Sequence, residues 1–356
     1  MKNIIKTVIV MLTSISLFGS ANAGELTVNG TAKATYNILS GKTNTGKGLG
    51  ITNELNFTAS GELDNGYTWS YSMELDPDAV AADNGAAQND DSQLTLTTPM
   101  GTVGVFMSEG GLDVEDAASQ SVYGRPTDIG DPSSGDGDNF TIDAYNNVQY
   151  HMPADMLPFG IVGKIAYAPD LDSDKNSGNA KGNTITETQT GNGRSATEIQ
   201  VKAAPLDGLA IGASYFEFDS AGVNGTKLNQ NPESGAYYAT YATGPFSIGY
   251  SKGFKAPLSI NADLADTTTV DFYEQTNISV AYAATDDLSI SYEKEEDKKN
   301  MQLDTEADVE QESTSIQVAY TMGGMTLAVA HGSYDNVNYV DGDEIDQMLF
   351  DVTMAF

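Results

Sequence analysis

The stretch Asp346-Gln-Met-Leu-Phe-Asp-Val-Thr-Met-Ala-Phe356, at the end of the chain, has an apolar residue at every second position. A period of two is that of a β-strand with one apolar face. In a soluble protein such a terminal strand would be an exposed sheet edge and prone to aggregation. The last strand of a soluble β-sandwich is the alternative interpretation of this stretch. A closed barrel in lipid removes the edge, because the last strand pairs with the first and its apolar face meets acyl chains.

The composition narrows the function classes. The chain has 356 residues, no cysteine and a formal charge of −33. The absence of cysteine excludes disulfide frameworks and thiolate metal sites. The acidity argues against nucleic acid as a partner, because phosphate backbones are bound by basic surfaces.

Residues 1–23 have the pattern of a secretory signal peptide. Lys2 and Lys6 supply its positive region, the segment from Val8 to Phe18 is mostly apolar, and Ala21-Asn22-Ala23 is a small-residue cleavage site. We therefore expect the mature chain to be a single domain over residues 24–356. No later segment approaches the ~18 consecutive apolar residues of a transmembrane helix.

Alternation continues through the mature chain. In Glu25–Leu39, one face carries small or apolar residues and the other is fully polar. Sixteen such segments are predicted: Glu25–Leu39, Ile51–Leu63, Tyr67–Leu75, Ser92–Thr98, Gly101–Ser108, Tyr145–Met152, Gly160–Ala168, Ala196–Ala204, Leu209–Phe218, Ala236–Thr243, Phe246–Phe254, Phe272–Ala284, Leu288–Glu295, Ser313–Thr321, Met325–Ser333 and Asp346–Phe356.

The connections between these segments alternate between short and long. The short ones carry tight-turn sequences such as Asp64-Asn65-Gly66 and Gly244-Pro245, whereas the long ones are polar and mostly acidic. Turns at one end and loops at the other are typical of a transmembrane antiparallel β-barrel, with periplasmic turns and extracellular loops. The predicted fold is therefore all-β, a barrel of sixteen strands whose lumen is wide enough to hold water.

Taken together, the alternating strands, the sorted connections and the terminal Phe356 resemble a Gram-negative general diffusion porin. The resemblance implies a homotrimer in the outer membrane, in contact with lipid and lipopolysaccharide. It also implies that Phe356 is an assembly signal and that the third and longest loop, about 109–144, folds into the lumen. The Pro-Glu-Phe-Gly motif of enterobacterial porins is absent, which points to another branch such as the alphaproteobacterial one.

On this resemblance, the third loop supplies the pore constriction. Its charged residues would form a negative ring with a single arginine, although the same residues could merely solvate a loop. The candidate constriction residues are Glu109, Asp113, Glu115, Asp116, Arg125, Asp128 and Asp131. The charged residues assigned to the pore wall are Lys33, Glu54, Glu74, Lys164 and Lys202.

Two kinds of cation site are conceivable. Asp136-Gly-Asp138-Asn139 places oxygen ligands at alternate positions around a glycine, which suggests a Ca²⁺ site with Asp136 and Asp138 as ligands, although Asp-Gly runs are also common in plain turns. The acidic segments Asp170–Asp174 and Asp304–Glu312 could hold divalent ions that bridge to lipopolysaccharide phosphates. No other cofactor is expected.

No enzyme motif is found. The two histidines, His151 and His331, lie on separate predicted strands, and no nucleophile elbow, P-loop or zinc motif occurs. The expected function is a water-filled, cation-selective channel for passive diffusion of small hydrophilic solutes and cations. The alternatives are a substrate-specific porin and, from another class, a surface β-protein such as an adhesin.

Overall fold

The computed structural model describes residues 24–42, 45–77, 87–129, 137–169, 195–219, 230, 232–257, 269–303 and 306–356. Sixteen strands form most of this part of the chain. They are β1 (Glu25–Gly41), β2 (Gly46–Glu62), β3 (Thr68–Pro77), β4 (Ala87–Thr98), β5 (Gly101–Met107), β6 (Asn147–His151), β7 (Val162–Ala168), β8 (Ser195–Leu206), β9 (Leu209–Asp219), β10 (Glu233–Thr243), β11 (Phe246–Ala256), β12 (Val270–Ala283), β13 (Leu288–Met301), β14 (Val309–Met322), β15 (Met325–Asp335) and β16 (Glu344–Ala355).

The strands form one closed barrel in which each pairs antiparallel with its neighbours in sequence. The seam is the pairing of β1 with β16, from Thr31 opposite Ala355 to Gly41 opposite Ile345. Closure gives every strand two neighbours and removes the free edge. The prediction of a sixteen-stranded transmembrane barrel is confirmed. Within the described ranges, no helix is both long and apolar enough to cross a bilayer.

The alternation of short periplasmic turns and longer outer loops is also confirmed, with two corrections. The first outer connection comprises only residues 42–45, because β1 and β2 extend into the predicted loop. β13 and β14 likewise run further outward than predicted, so that the acidic segment Asp304–Glu312 is partly strand. Ion pairs along this hairpin, such as Lys298 Nζ to Asp308 Oδ2 at 3.3 Å, stabilise the extension.

The apolar face predicted for the last strand points outward. Phe350, Met354 and Phe356 are exposed on the outer surface of the barrel, where lipid covers them. The opposite face of β16 is not uniformly polar. Ile345 and Leu349 are buried inside the barrel, because other parts of the chain pack against that wall.

The connection between β5 and β6, residues 108–146, folds into the lumen as predicted. We call it the constriction loop. Short 3₁₀ helices lie in its described part at Glu115–Ala118, Pro126–Asp128 and Ile142–Ala144. Small hydrophobic clusters form where this loop meets the inner wall, so that part of the apolar core lies inside the barrel.

Candidate functional site: the constriction

The first half of the constriction loop runs along the inner wall from β8 towards β16. Polar side chains of the wall satisfy its backbone groups in sequence. The N–H groups of Val114, Gln120 and Val122 donate to the hydroxyls of Ser214, Ser279 and Ser291, at 3.1, 3.0 and 3.0 Å. Beyond them, the Tyr123 N–H donates to Gln317 Oε1 at 3.0 Å, and Gln347 Nε2 donates to the Ile129 carbonyl at 2.5 Å. The polar inner face of the barrel thus replaces water as the partner of the loop.

The second half of the loop returns along the same wall. The Phe140 N–H donates to Ser234 Oγ at 3.0 Å, and the Ile142 N–H donates to Glu198 Oε2 at 2.8 Å. Apolar contacts hold the returning segment in place. Leu112 and Ile142 are fully buried against Phe216, with Phe140 packed on the same cluster. The described parts of both halves therefore lie against the wall formed by β8 to β16.

Arg125 lies at the centre of the loop and joins its parts. Its guanidinium is within 4.0 Å of five carboxylates, and only 11% of its side chain is exposed. Four partners belong to the loop and one to the wall: Glu115 (3.6 Å), Asp116 (the shortest contact), Asp128 (3.1 Å), Asp138 (4.0 Å) and Glu295 of β13 (3.7 Å). One positive charge faces five potential negative charges, so the cluster is net negative when its carboxylates are ionised.

The electrostatics of this cluster shift its titration. Burial, reinforced by the neighbouring Asp113, raises the pKa of Glu115 well above its ordinary value despite the nearby Arg125. Asp116 keeps 61% of its side chain exposed to the lumen, but it lies deep within the barrel. The poor solvation there raises its pKa to about 6, against the opposing charge of Arg125. For Arg125 itself burial disfavours the charge, but Glu295 and Asp116 outweigh this effect and raise its pKa.

The other predicted constriction residues have different roles. Glu109 is at the start of the loop, away from Arg125, where its carboxylate accepts the Gly110 N–H at 2.8 Å. Asp113 accepts hydrogen bonds from Ser214 Oγ at 2.9 Å and from Asn139 Nδ2 at 3.1 Å, and so connects the loop to the wall. Asp131 lies outside the described residues.

Of the predicted metal ligands, Asp136 also lies outside the described residues, and Asp138 is a partner of Arg125. A cavity of about 10 Å³ between loop and wall is lined by Asp138, Glu115 and Asp297, together with Gln275 and Asn277. Gln275 Oε1 and Asn277 Oδ1 are buried there without a hydrogen-bond partner in the described part of the chain. This oxygen-rich set is of the kind that a hard cation prefers, and the cavity is about the size of one water molecule.

The predicted wall residues occupy two regions of the lumen. Lys33 of β1 reaches the constriction loop, with Nζ 4.6 Å from the centre of the Tyr123 ring. Glu54 on β2 accepts a hydrogen bond from Thr31 Oγ1 at 3.4 Å, and Glu74 of β3 lies on the same side of the lumen. Lys164 and Lys202 lie on β7 and β8, below the point where the loop begins.

Sequence reasoning missed the acidic residues of the wall that hold the loop. Glu293 accepts hydrogen bonds from the hydroxyls of Ser119 (2.6 Å) and Ser121, and Glu295 accepts one from Thr127 Oγ1 at 2.8 Å. Glu198 of β8 is fully buried and accepts two loop N–H groups. The signal was present in β13, where Ser289, Ser291, Glu293, Glu295 and Asp297 alternate along one face. The prediction ended that strand at Glu295 and did not assign its acids to the site.

A wider cavity of about 390 Å³ opens between the two halves of the loop. It is lined by acidic side chains from both halves, including Asp113, Asp116, Asp138 and Asp143, together with Arg125. A solute that passes the loop therefore meets carboxylates.

The sequence profile that describes the Gram-negative porin matches residues 8–350 of this chain. The chain belongs to that family. The porin is therefore an integral protein of the Gram-negative outer membrane, and its family points to a channel rather than an enzyme. No curated protein matches it in sequence.

Among solved structures, the porin is similar to a Salmonella typhi OmpF complex with daunomycin, at a TM-score of 0.64 and 13% identity over 95% of this chain and 100% of that one. It is also similar to a loop-deletion mutant of OmpT, an outer-membrane protein of Vibrio cholerae. The TM-score is 0.61 and the sequence identity 15%, over 94% of this chain and 100% of that one. A mutant of Rh. blastica porin matches with a TM-score of 0.59 and 14% sequence identity, over 93% of this chain and 100% of that one. At these identities the likeness concerns the fold.

Proposed function

We propose that the porin is a cation-selective channel through which small hydrophilic solutes and cations diffuse passively. The observation that carries this proposal is the cluster in which five carboxylates surround Arg125. Carboxylates that line a narrow aqueous passage raise the local concentration of cations and lower that of anions. The wall that faces the loop adds Glu54 and Glu74, with Lys33 as the nearby cation.

The test is the reversal potential of the purified porin in a planar bilayer under a potassium chloride gradient at low salt. Cation preference is the expected result, and it should weaken with rising salt as the Debye length falls from ~10 Å at 0.1 M. Asp116→Asn with Asp128→Asn should reduce it, because both carboxylates lie beside Arg125 with more than half of each side chain exposed. The matched control is Asp155→Asn in an exposed periplasmic turn. Anion preference in the wild type would refute the proposal.

Two rival functions have distinct outcomes. A substrate-specific porin would show a current block by one sugar or anion at low concentration, with half-saturation well below that of other solutes. A surface adhesin would form no channels in the bilayer. Swelling of liposomes in several unrelated small sugars would favour general diffusion over both rivals.

We further propose that the porin assembles as a homotrimer through β1 and β2. Leu49 and Ile51 of β2 are 82% and 72% exposed, more than the other exposed large hydrophobic residues of the described chain. β2 pairs with β3 only over Leu55–Glu62, so Gly46–Glu54 have β1 as their one strand neighbour among the described residues. A neighbouring subunit can cover these exposed apolar side chains, and the small residues beside them on β1 allow its close approach.

The interface proposal is tested by Leu49→Arg with Ile51→Arg, with Ile316→Arg and Val318→Arg on the outer face of β14 as the matched control. Loss of trimers in mild detergent only in the first variant is expected. Small residues at Ala32 and Ala34 of β1 belong to the same surface, and large replacements there should have the same effect. Trimers that persist in both β1 and β2 variants would place the interface elsewhere.

Two cation-dependent contacts complete the proposal. At the outer ends of β13 and β14, carboxylate oxygens of Glu296, Glu310 and Glu312 lie within 4.8 Å of one another, close enough to share a divalent ion that bridges to lipopolysaccharide phosphates. Lys294 pairs with Glu296 at 2.7 Å and offsets part of this charge. Retention of lipopolysaccharide that is insensitive to a chelator would contradict this contact.

The second contact is Ca²⁺ beside Asp138, supported by the two buried amide oxygens of the small cavity and opposed by the charge of Arg125. Terbium luminescence that calcium competes away, and that Asn277→Leu abolishes, is expected. Leucine removes the oxygen ligand at similar size, and Asn56→Leu on the wall of β2 is the control. Equal terbium signals in both variants would reject this site.

A further inference from the structure

The connection between β15 and β16, residues 336–343, folds inward over the neighbouring strands. We call it the last outer connection. Its Asn338 N–H donates to Gln311 Oε1 of β14 at 2.9 Å. One residue further, the Tyr339 ring packs against the Tyr273 ring of β12, with 5.5 Å between the ring centres. The connection thus extends from β15 to β12, which is three strands away, or ~14 Å.

The contact on β12 is on the lumen face, at the extracellular side of the constriction loop. Tyr273 is two residues from Gln275, so both side chains point to the same face of the sheet. Gln275 Nε2 donates to the Gly137 carbonyl of the constriction loop. Tyr273 is nearer to the outer end of β12, by about 7 Å along the strand, and the last outer connection packs on it there.

Tyr339 also contacts the constriction loop itself. A Cβ added to the buried Gly137 would lie 2.7 Å from Tyr339 Oη, and its next neighbour would be Asp297 Oδ1 at 3.4 Å. Only 7% of Tyr339 is exposed. The tyrosine hydroxyl therefore occupies the space that a larger residue at position 137 would need.

The same hairpin holds the other half of the constriction loop. Tyr334, near the outer end of β15, is fully buried, and its hydroxyl donates to the Pro126 carbonyl at 2.6 Å. Gln347 of β16 holds the carbonyl of Ile129. The outgoing half of the loop at residues 126–129 and the returning half at Gly137 are thus both in contact with β15, β16 and the connection between them.

The backbone of the last outer connection has an uncommon conformation. Asn336, Asn338 and Tyr339 have φ angles of 55°, 56° and 58°. Asparagine tolerates this left-handed region, but a tyrosine seldom adopts it. Such a conformation persists where the surrounding structure imposes it. The contacts of Tyr339 with Tyr273 and Gly137 are the surroundings that hold it here.

We propose that the last outer connection holds the constriction loop in position, with Tyr339 as the positioning residue. This inference rests on the channel function proposed above for its effect on ion flow. The returning half of the loop cannot move towards the extracellular side while the Tyr339 hydroxyl lies against Gly137. The width of the passage is therefore determined by an outer connection as well as by the barrel wall.

The test is amide hydrogen exchange of residues 138–142 in the detergent-solubilised protein, a measurement that needs no channel activity. The N–H groups of Asn139 and Phe140 donate to side chains at 2.9 and 3.0 Å and should be protected. In Gly137→Ala the methyl group collides with Tyr339 Oη, so exchange should be about tenfold faster. In Gly137→Ala with Tyr339→Phe the hydroxyl is absent and the nearest remaining neighbour is 3.4 Å away. Exchange should then return to the rate of Tyr339→Phe alone.

The matched control is Gly124→Ala, the same substitution in the same loop, because an added Cβ there has its nearest neighbour at 3.8 Å. Unchanged exchange in β1 to β5 shows that each variant barrel is folded. Equal exchange of residues 138–142 in Gly137→Ala and Gly124→Ala would overturn the inference. Fast exchange that persists after removal of the Tyr339 hydroxyl would overturn it too, because the defect would then not involve this contact.

The effect on ion flow is measured as open-channel current noise in a planar bilayer. The noise should be higher in Gly137→Ala than in Gly124→Ala, and it should fall again when Tyr339→Phe is added. Exchange that responds while the current does not would refute the effect on the passage. A wild-type protein that forms no channels would refute the proposed function, whereas the exchange rates would still decide whether Tyr339 positions the loop.

Discussion

Gly30 and Phe356 exchange both of their backbone hydrogen bonds at the seam of the barrel, with N···O distances of 2.9 and 3.0 Å. The phenyl ring lies over Gly30, so that a Cβ added to the glycine would be 3.0 Å from Phe356 Cζ and 2.5 Å from the Glu54 carbonyl oxygen. The small residue in β1 therefore receives the ring of the same chain. The last residue completes the pairing that closes the barrel.

We expect Gly30→Leu to destabilise the closed barrel, because the side chain must displace either the Phe356 ring or the β2 backbone. Overpacking of this kind costs about 1–3 kcal/mol. The measurement is the temperature at which the folded, fast-migrating form is lost in SDS. Gly48→Leu is the control, since an added Cβ there meets no atom within 4 Å. Equal unfolding temperatures for the two variants would contradict the account of the seam.

Replacement of Phe356 by Lys should impair assembly. The ring would be lost from the outer surface, and a charge would be placed beside lipid, where it is costly. The measurement is the amount of folded protein in the outer membrane, with Phe159→Lys in an exposed periplasmic turn as the control. Normal surface abundance of Phe356→Lys would reject the role of this residue as an assembly signal.

The barrel was predictable because alternation is repeated in every strand and is enforced by lipid on one side and water on the other. Strand ends were less so. β1 and β2 continue through a polar, glycine-containing stretch whose sequence is typical of a loop. Pairing between the two strands, from Glu25 opposite Ser60 to Leu39 opposite Gly46, determines where they end.

The site was predictable only in part. The length of the loop and its family resemblance indicated where the constriction lies, and its acidity was visible in the sequence. The pairing of Arg125 with Glu295 was not, because these residues are far apart in sequence and meet only when the loop crosses the lumen. The inward position of Leu349 was also not predictable, because it interrupts the polar face of β16. Leu349 is apolar there because it packs against Ile129 of the loop.

Arg125→Gln should release the constriction loop without opening the barrel. Removal of the guanidinium leaves buried carboxylates such as Glu115 and Glu295 without their positive partner, a change that costs about 3–5 kcal/mol in comparable buried pairs. The expected results are a larger or noisier single-channel conductance and faster cleavage of the loop by added protease. The mobility of the unheated protein in SDS should stay as in the wild type, since no pairing between strands involves Arg125.

The control for Arg125→Gln is Asp128→Asn, which removes one partner whose side chain is 55% exposed. Exposed pairs contribute only about 0–1 kcal/mol, so this variant should keep a protected loop. If Arg125→Gln retains wild-type conductance and protease resistance, the arginine is not what holds the loop to the wall.

Cation selectivity should depend on pH in a range unusual for carboxylates. Poor solvation raises the pKa of Asp116 to about 6 from an ordinary value of 3.8, and the pKa of Glu115 is raised as well. Between pH 3.8 and about 6, Asp116 in the folded loop holds a proton that it does not hold in the unfolded chain. Stability therefore falls as pH rises through about 6, while the negative charge of the constriction grows. Lowering the pH through 6 should thus reduce the cation preference and strengthen the attachment of the loop.

The measurement is the reversal potential under a fixed potassium chloride gradient at a series of pH values on both sides of 6. Asp116→Asn should remove the main step near pH 6, because asparagine stays uncharged at every pH. Asp155→Asn, in a periplasmic turn outside the constriction, should leave the step in place. A wild-type profile that is flat until the ordinary carboxylate range would show that Asp116 is not part of the ion path. A step that survives in Asp116→Asn would assign it to another group in the lumen.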